Sequence, residues 1–189
     1  LELIVKILAG VGVSVSSGLN AFLPLLVISA LAKAKRITLA SGFEFVESWA
    51  FLLVMAGLVG VALIVDKIPA AEAILSKAYI GLRPLAGGLA FAAIAGDQII
   101  APLGFVLGAV LAGAMHYCNV NIQPALVTRS QTMAIFRPAL SLGQDFVAVV
   151  MTLLAVFVPY VGGVLGILVL CLSFWWMLRL KKAQPQIGR

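Results

Sequence analysis

The chain reads as a succession of long apolar runs separated by short polar breaks. The runs extend from Leu3 to Ala32, Ser48 to Val65, Tyr79 to Gly96, Ile99 to Tyr117, Pro138 to Val158 and Tyr160 to Leu178. Most come close to, or exceed, the ~20 residues that a helix needs to cross a bilayer. The pattern predicts an all-α integral membrane protein with about six transmembrane helices. Residues 1–180 form a single transmembrane helical domain, followed by a short polar tail over 181–189. Between Lys67 and Leu82, alanines and leucines mix with Glu72 and Lys77, as in a short interfacial helix. The longest polar connection, Asn119 to Arg137, suits a surface loop or an amphipathic piece.

The first run is the most unusual. Its thirty residues would make a helix about 45 Å long, against a hydrocarbon core of ~30 Å. Its middle holds Ser14, Ser16, Ser17, Gly18, Asn20 and Pro24. Pro24 has no amide hydrogen and frees the carbonyl of Asn20, so a break within Ser16–Pro24 is expected. Two readings follow. A discontinuous helix would put Ser16, Ser17, Asn20 and Pro24 along a polar path, because irregular backbone at this depth must face protein or a wet cavity. A tilted, proline-kinked helix would instead pack its serines against a neighbour. Ala21–Leu25 resembles Ile99–Leu103, and Pro84–Gly88 resembles Pro159–Gly163, with separations of 78 and 75 residues that suit a three-plus-three inverted repeat.

Composition excludes a water-soluble fold. The chain is 63% hydrophobic and 11% charged, with a mean hydropathy of +1.16, too few polar residues to clothe helices in water. The basic residues sit mainly at the ends of apolar runs, which assigns the net charge of +6 to membrane orientation and leaves no case for nucleic acid. With six spans, Lys6, Lys67, Lys77, Arg83, Arg129, Arg137, Arg179, Lys181, Lys182 and Arg189 share one side, against Lys33, Lys35 and Arg36 on the other. That asymmetry predicts both termini in the cytoplasm. Leu3–Leu26 is too long for a simple signal peptide and reads as the first membrane segment. Cys118 and Cys171 form no disulfide framework, and the isolated pair of His116 and Cys118 is too small for a metal site. No nucleophile–base constellation or cofactor loop is visible, so a non-enzymatic role is expected.

Ionisable residues inside apolar runs carry the functional signal. Asp145 lies about two turns into the fifth run, where a carboxylate is costly and points to a proton, ion or headgroup partner. Its alternative is an interfacial carboxylate at a helix start. Asp66 closes the second run beside Lys67, and Asp97 sits in a tight turn between the third and fourth. Arg83, Arg129 and Arg137 could hold lipid phosphate, or simply set topology. Trp49, Trp175 and Trp176 suit aromatic belts.

Three motifs stand in register: Ser17–Pro24 (SGLNAFLP), Asp66–Pro69 (DKIP) and Arg83–Gly87 (RPLAG). In this the chain resembles an uncharacterised bacterial family of small integral membrane proteins defined by a domain of unknown function. That family also tends to have small residues ending in a histidine, here Ala112–His116, a Ser/Thr-containing loop, here Thr128–Thr132, and a Ser-Leu-x-Glu-Asp stretch. The last reads Ser141–Asp145 here, with Gln144 in place of the glutamate. A looser similarity of architecture is to DedA-type lipid transporters. The resemblance implies a bacterial inner-membrane protein and brings no activity. Three functions fit: a small permease whose path uses Ser16, Ser17, Asn20, Asp66 and Asp145; an anionic-lipid binding or translocation protein using the arginines; or a non-transporting accessory subunit. Membrane lipids are the expected partners, and Gly104, Gly108, Ala112 and Gly113 are spaced for close helix contact, which suits either internal packing or a homo-oligomer.

Overall fold

The computed structural model describes residues 1–65, 69–129 and 137–182. Among these the chain forms α1 (Glu2–Leu19), α2 (Leu23–Lys33), a 3-10 turn (Glu44–Glu47), α3 (Trp49–Val65), α4 (Pro69–Ala95), α5 (Ala101–Arg129), α6 (Arg137–Phe157) and α7 (Pro159–Lys182). Five helical stretches are long and apolar enough to cross a membrane: Glu2–Leu19, Lys77–Ala95, Ala101–Gln123, Ala139–Phe157 and Pro159–Lys182. Helix α3 is apolar too, at 17 residues. Leu53, Val54 and Ile64 on α3, Leu103, Val106 and Val110 on α5, and Leu168 and Leu172 on α7 are exposed. Such an outer surface suits lipid, and the fold is that of an all-α integral membrane protein.

Helix α1 is the axis of the bundle, and its residues from Gly12 to Leu19 are all buried. Small residues let its neighbours approach. A methyl group on Gly12 would sit 2.8 Å from the carbonyl oxygen of Gly162, at the crossing with α7. Ser14 Oγ donates to the Gly87 carbonyl of α4 (3.0 Å), and Ser16 Oγ meets Thr152 Oγ1 of α6 (2.8 Å). Further along, Gly18 meets Arg83 and Asn20 meets Asp145. The pairings descend on α4 and α6 as they ascend on α1, so α1 is antiparallel to both. Gly163 packs on Leu8 and Gly166 on Gly12, so α7 runs parallel to α1.

At Asn20 the backbone becomes extended (φ −138°, ψ 128°), and α2 starts three residues later with Pro24 in its first turn, where a missing amide hydrogen is harmless. Helix α2 then reverses direction. The residues that follow it, Lys35–Thr38, line one cavity together with Val5, Lys6 and Ala9 of α1, Ile94, Val156 and Pro159. Ser29 Oγ bonds the Val46 carbonyl, and Ala40 N–H bonds the Ala93 carbonyl. The break expected in Ser16–Pro24 is present, and it makes a re-entrant hairpin, not a kinked single crossing. The hairpin enters from one end of the bundle, and α3 to α7 traverse it.

This geometry changes the topology expected from six crossings. Leu1 and Lys6 lie at the end that holds Arg36, Asp97 and Pro159, while Lys181 reaches Tyr117 near the opposite end. The termini are therefore at opposite ends, because the hairpin returns the chain to the end from which it came. Directions within the bundle still suit an inverted repeat, α2 opposing α5 and α4 opposing α7, with α1 outside it. The interfacial helix expected between Lys67 and Leu82 is instead, from Pro69, the first part of the continuous α4, which carries Pro84 within it. Much of the polar connection expected from Asn119 is helical, since α5 continues to Arg129. Lys181 and Lys182, expected in the tail, end α7.

Gly104, Gly108 and Ala112 face α4. Gly108 packs on Gly87 and Phe91, Ala112 on Gly87 and Gly104 on Phe91, so this stripe is used within the subunit.

Candidate functional site

The hairpin tip gathers polar groups from four helices inside the bundle. Asn20 is its centre. Its Oδ1 accepts the N–H groups of Phe22 (2.9 Å) and Leu23 (3.1 Å), which caps α2, while its Nδ2 donates to Asp145 Oδ1 (2.8 Å). An amide side chain supplies both an acceptor for the cap and a donor for a carboxylate, on separate atoms that can serve the two partners at once. Asp145 is eight residues inside α6, about 12 Å from its start, and half-buried. The carboxylate expected to face the bundle does so, beside the positive end of the α2 dipole, where negative charge is favoured.

On the other side of the tip, Arg83 NH1 donates to the Gly18 carbonyl (3.1 Å) and lies 2.9 Å from His116 Nδ1. Guanidinium has no acceptor, so Nδ1 accepts and the ring proton sits on Nε2. The Gly18 carbonyl is free for Arg83 because the Phe22 amide, its usual helical partner, bonds Asn20 instead. Tyr79 stacks under the guanidinium (4.9 Å to the ring centroid) and meets Phe22 (6.3 Å between centroids). Gly18 is required there. A methyl group would lie 2.6 Å from the Ala112 carbonyl. A fixed cation and a carboxylate thus grip residues only two apart in sequence, Gly18 and Asn20.

Next to this cluster, Gln144 Nε2 donates to Asn119 Oδ1 (2.9 Å) and Gln123 Nε2 donates to Gln144 Oε1 (3.0 Å). The residue standing where the family resemblance expects a glutamate serves as an amide bridge between α5 and α6.

The other candidates fare differently. Ser16 and Ser17 are fully buried, and both hydroxyls bond the Val13 carbonyl. They pack against protein, as serines do when they return a bond to the preceding turn. Pro24 is buried in the first turn of α2. Asp66 lies outside the described residues. Of the proposed phosphate-binding arginines, Arg83 faces the hairpin, and the side chains of Arg129 and Arg137 are outside the described set. Asp97 accepts the Ser41 N–H (2.9 Å) and ties the loop after α2 to the turn before α5. Sequence reasoning missed Tyr79, and weighed His116 only as a metal ligand and as part of the family resemblance, not as a partner of Arg83. Their signal was helical spacing: Tyr79 precedes Arg83 by one turn, and His116 ends the small-residue face of α5.

The fold and site define a small polytopic helical membrane protein with a polar, re-entrant hairpin tip. The sequence matches DUF4126, a domain of unknown function, over residues 7–179, and the chain belongs to that family. No curated protein and no solved structure matches it.

Proposed function

We propose that this protein is a non-enzymatic permease for an ion or small polar solute, in which the hairpin tip and Asp145 form the gate. The observation that carries the reading is the 2.8 Å bond from Asn20 to Asp145 at a helix break deep in the bundle. Half-helices whose N-termini end near the membrane midplane, and carboxylates within membrane segments, recur where transporters hold their cargo. Asn20 couples the two parts. A cation or proton taken up by Asp145 weakens a charge-assisted bond into a neutral one. The same amide caps α2, so its rotation loosens the start of that helix. Arg83 anchors Gly18, so movement concentrates at Asn20–Phe22.

We further propose a bacterial inner membrane with the more basic bundle end in the cytoplasm. Lys77, Arg179, Lys181 and Lys182 lie toward that end, where α5 also finishes at Arg129 and α6 starts at Arg137. At the opposite end Lys6, Lys33, Lys35 and Arg36 are matched by Glu2, Glu44, Glu47 and Asp97. The excess of Lys and Arg supports the orientation. The C-terminus then faces the cytoplasm and the N-terminus the outside.

Proteoliposomes of the full chain, loaded with a pH-sensitive dye and challenged with proton, Na⁺ and K⁺ gradients and with small uncharged solutes, test the function. Flux that falls at least ten-fold in Asp145→Asn supports the reading. A wild-type protein that passes none of these, or an Asp145→Asn variant that matches wild type, overturns it.

A further inference from the structure

At the far end of the bundle from Asp145, a cavity of about 310 Å³ opens between the start of α1, the loop after α2, the end of α4 and the α6–α7 turn. Its lining divides by chemistry. Lys6, Lys35, Arg36 and Thr38 supply polar groups, while Val5, Ala9, Ile37, Ile94, Val156 and Pro159 make the rest apolar. Ala9 and Ile94 are buried, so the apolar part reaches into the core. Lys35 is bound to Glu47 (2.7 Å); Lys6 and Arg36 have no ion pair among the described residues.

The backbone that presents these cations is unusual. Helix α2 ends with Arg36 N–H bonded to the Leu31 carbonyl and Lys35 N–H to the Ala32 carbonyl, a Schellman arrangement. Its left-handed position, normally glycine, is Lys35 (φ 55°). A residue with a β-carbon is disfavoured there, and strain of this kind clusters at ligand sites.

We propose that this cavity binds the phosphate headgroup of an anionic lipid from the adjacent leaflet, with Lys6, Lys35 and Arg36 around the phosphate and the top of an acyl chain along Ile37, Ile94 and Val156. The volume is at the small end for ligand pockets and fits a headgroup with the first part of a chain. A cavity that is half cationic and half apolar, at the level where a span begins, matches an amphiphile better than a free anion. Arginine presents paired donors suited to phosphate oxygens. The site is separate from the Asn20–Asp145 gate and does not depend on the permease reading.

The full chain in neutral detergent, titrated with dioleoyl-phosphatidylglycerol, dioleoyl-phosphatidylcholine or inorganic phosphate and followed by native mass spectrometry and thermal unfolding, tests this. Retention of phosphatidylglycerol over phosphatidylcholine is expected. Each cation removed should weaken it about five-fold, so Lys6→Gln/Arg36→Gln should lose most of it and Lys181→Gln/Lys182→Gln none. Lys35→Gly should bind less while unfolding no earlier than wild type, which separates lost binding from lost folding. Equal retention of phosphatidylcholine, or wild-type binding in Lys6→Gln/Arg36→Gln, overturns the proposal. Protection by inorganic phosphate equal to that by phosphatidylglycerol also overturns the lipid source and leaves a free-anion site.

Discussion

Replacing Asn20 with alanine removes three hydrogen bonds at one point: two that cap α2, at 2.9 and 3.1 Å, and one to Asp145, at 2.8 Å. Loss of a helix cap costs about 0.5–2 kcal/mol, and a hydrogen bond to a charged group contributes about 1.5–3 kcal/mol. Both groups are half-buried, so the lower part of each range applies, and Asn20→Ala should destabilise the fold by about 2–3.5 kcal/mol. A graded series separates the contributions. Asn20→Ser retains a capping oxygen but is too short to reach Asp145, so it should recover about 1 kcal/mol of the loss. Asp145→Asn keeps an acceptor for Asn20 and should cost only about 1 kcal/mol. The assay is reversible unfolding from mixed micelles by increasing SDS fraction, followed by tryptophan fluorescence and circular dichroism. An Asn20→Ala variant within about 0.5 kcal/mol of wild type, or an Asn20→Ser variant no better than it, would refute the double role assigned to this side chain.

Gly18→Ala should cost about 1–3 kcal/mol in the same assay, because its methyl would press on the backbone of Ala112; unchanged stability would mean that α1 and α5 are not in close contact. Ser16 and Thr152 share two hydroxyl protons among three contacts, with Val13, Ala148 and each other. Ser16→Ala therefore leaves Thr152 bonded to Ala148 and should cost about 1 kcal/mol or less, with flux kept at wild-type level; a large loss of flux would return Ser16 to the path. For topology, single cysteines placed at Glu2 and Lys182 in a chain lacking Cys118 and Cys171 should react with a membrane-impermeant maleimide from opposite sides of a vesicle. Labelling from the same side would contradict the re-entrant hairpin.

Much of the architecture was legible in one dimension. Lipid excludes unpaired backbone polar groups, so apolar runs of bilayer length must be helices whatever they pack against. An irregularity within Ser16–Pro24 was legible for a local reason as well: an extra-long apolar run with serines, Asn20 and Pro24 at its middle must either break or kink and tilt. Asp145 stood out because a carboxylate in an apolar run is too costly to be incidental.

What the sequence did not supply was direction, where charge counting over six crossings put both termini on one side, and partnership. Whether the chain continues forward or doubles back after Asn20 depends on how α2 packs against α3 and α6, and on the tie from Ala40 to Ala93. Hydropathy has no sign along the membrane normal, so this reversal is invisible to it, yet it moves Lys6 to the opposite end and separates the termini. The serines illustrate the second limit. A hydroxyl in an apolar run reads the same whether it faces a wet path or a neighbouring helix, and here Ser14, Ser16 and Ser17 are all turned into contacts with protein. The sequence by itself determined that the chain is a bundle of membrane helices, with an irregularity near Asn20 and a carboxylate within or at the edge of an apolar run. Only the tertiary structure decided that the interruption and the carboxylate meet, because their contact spans 125 residues and depends on two helices crossing at one depth.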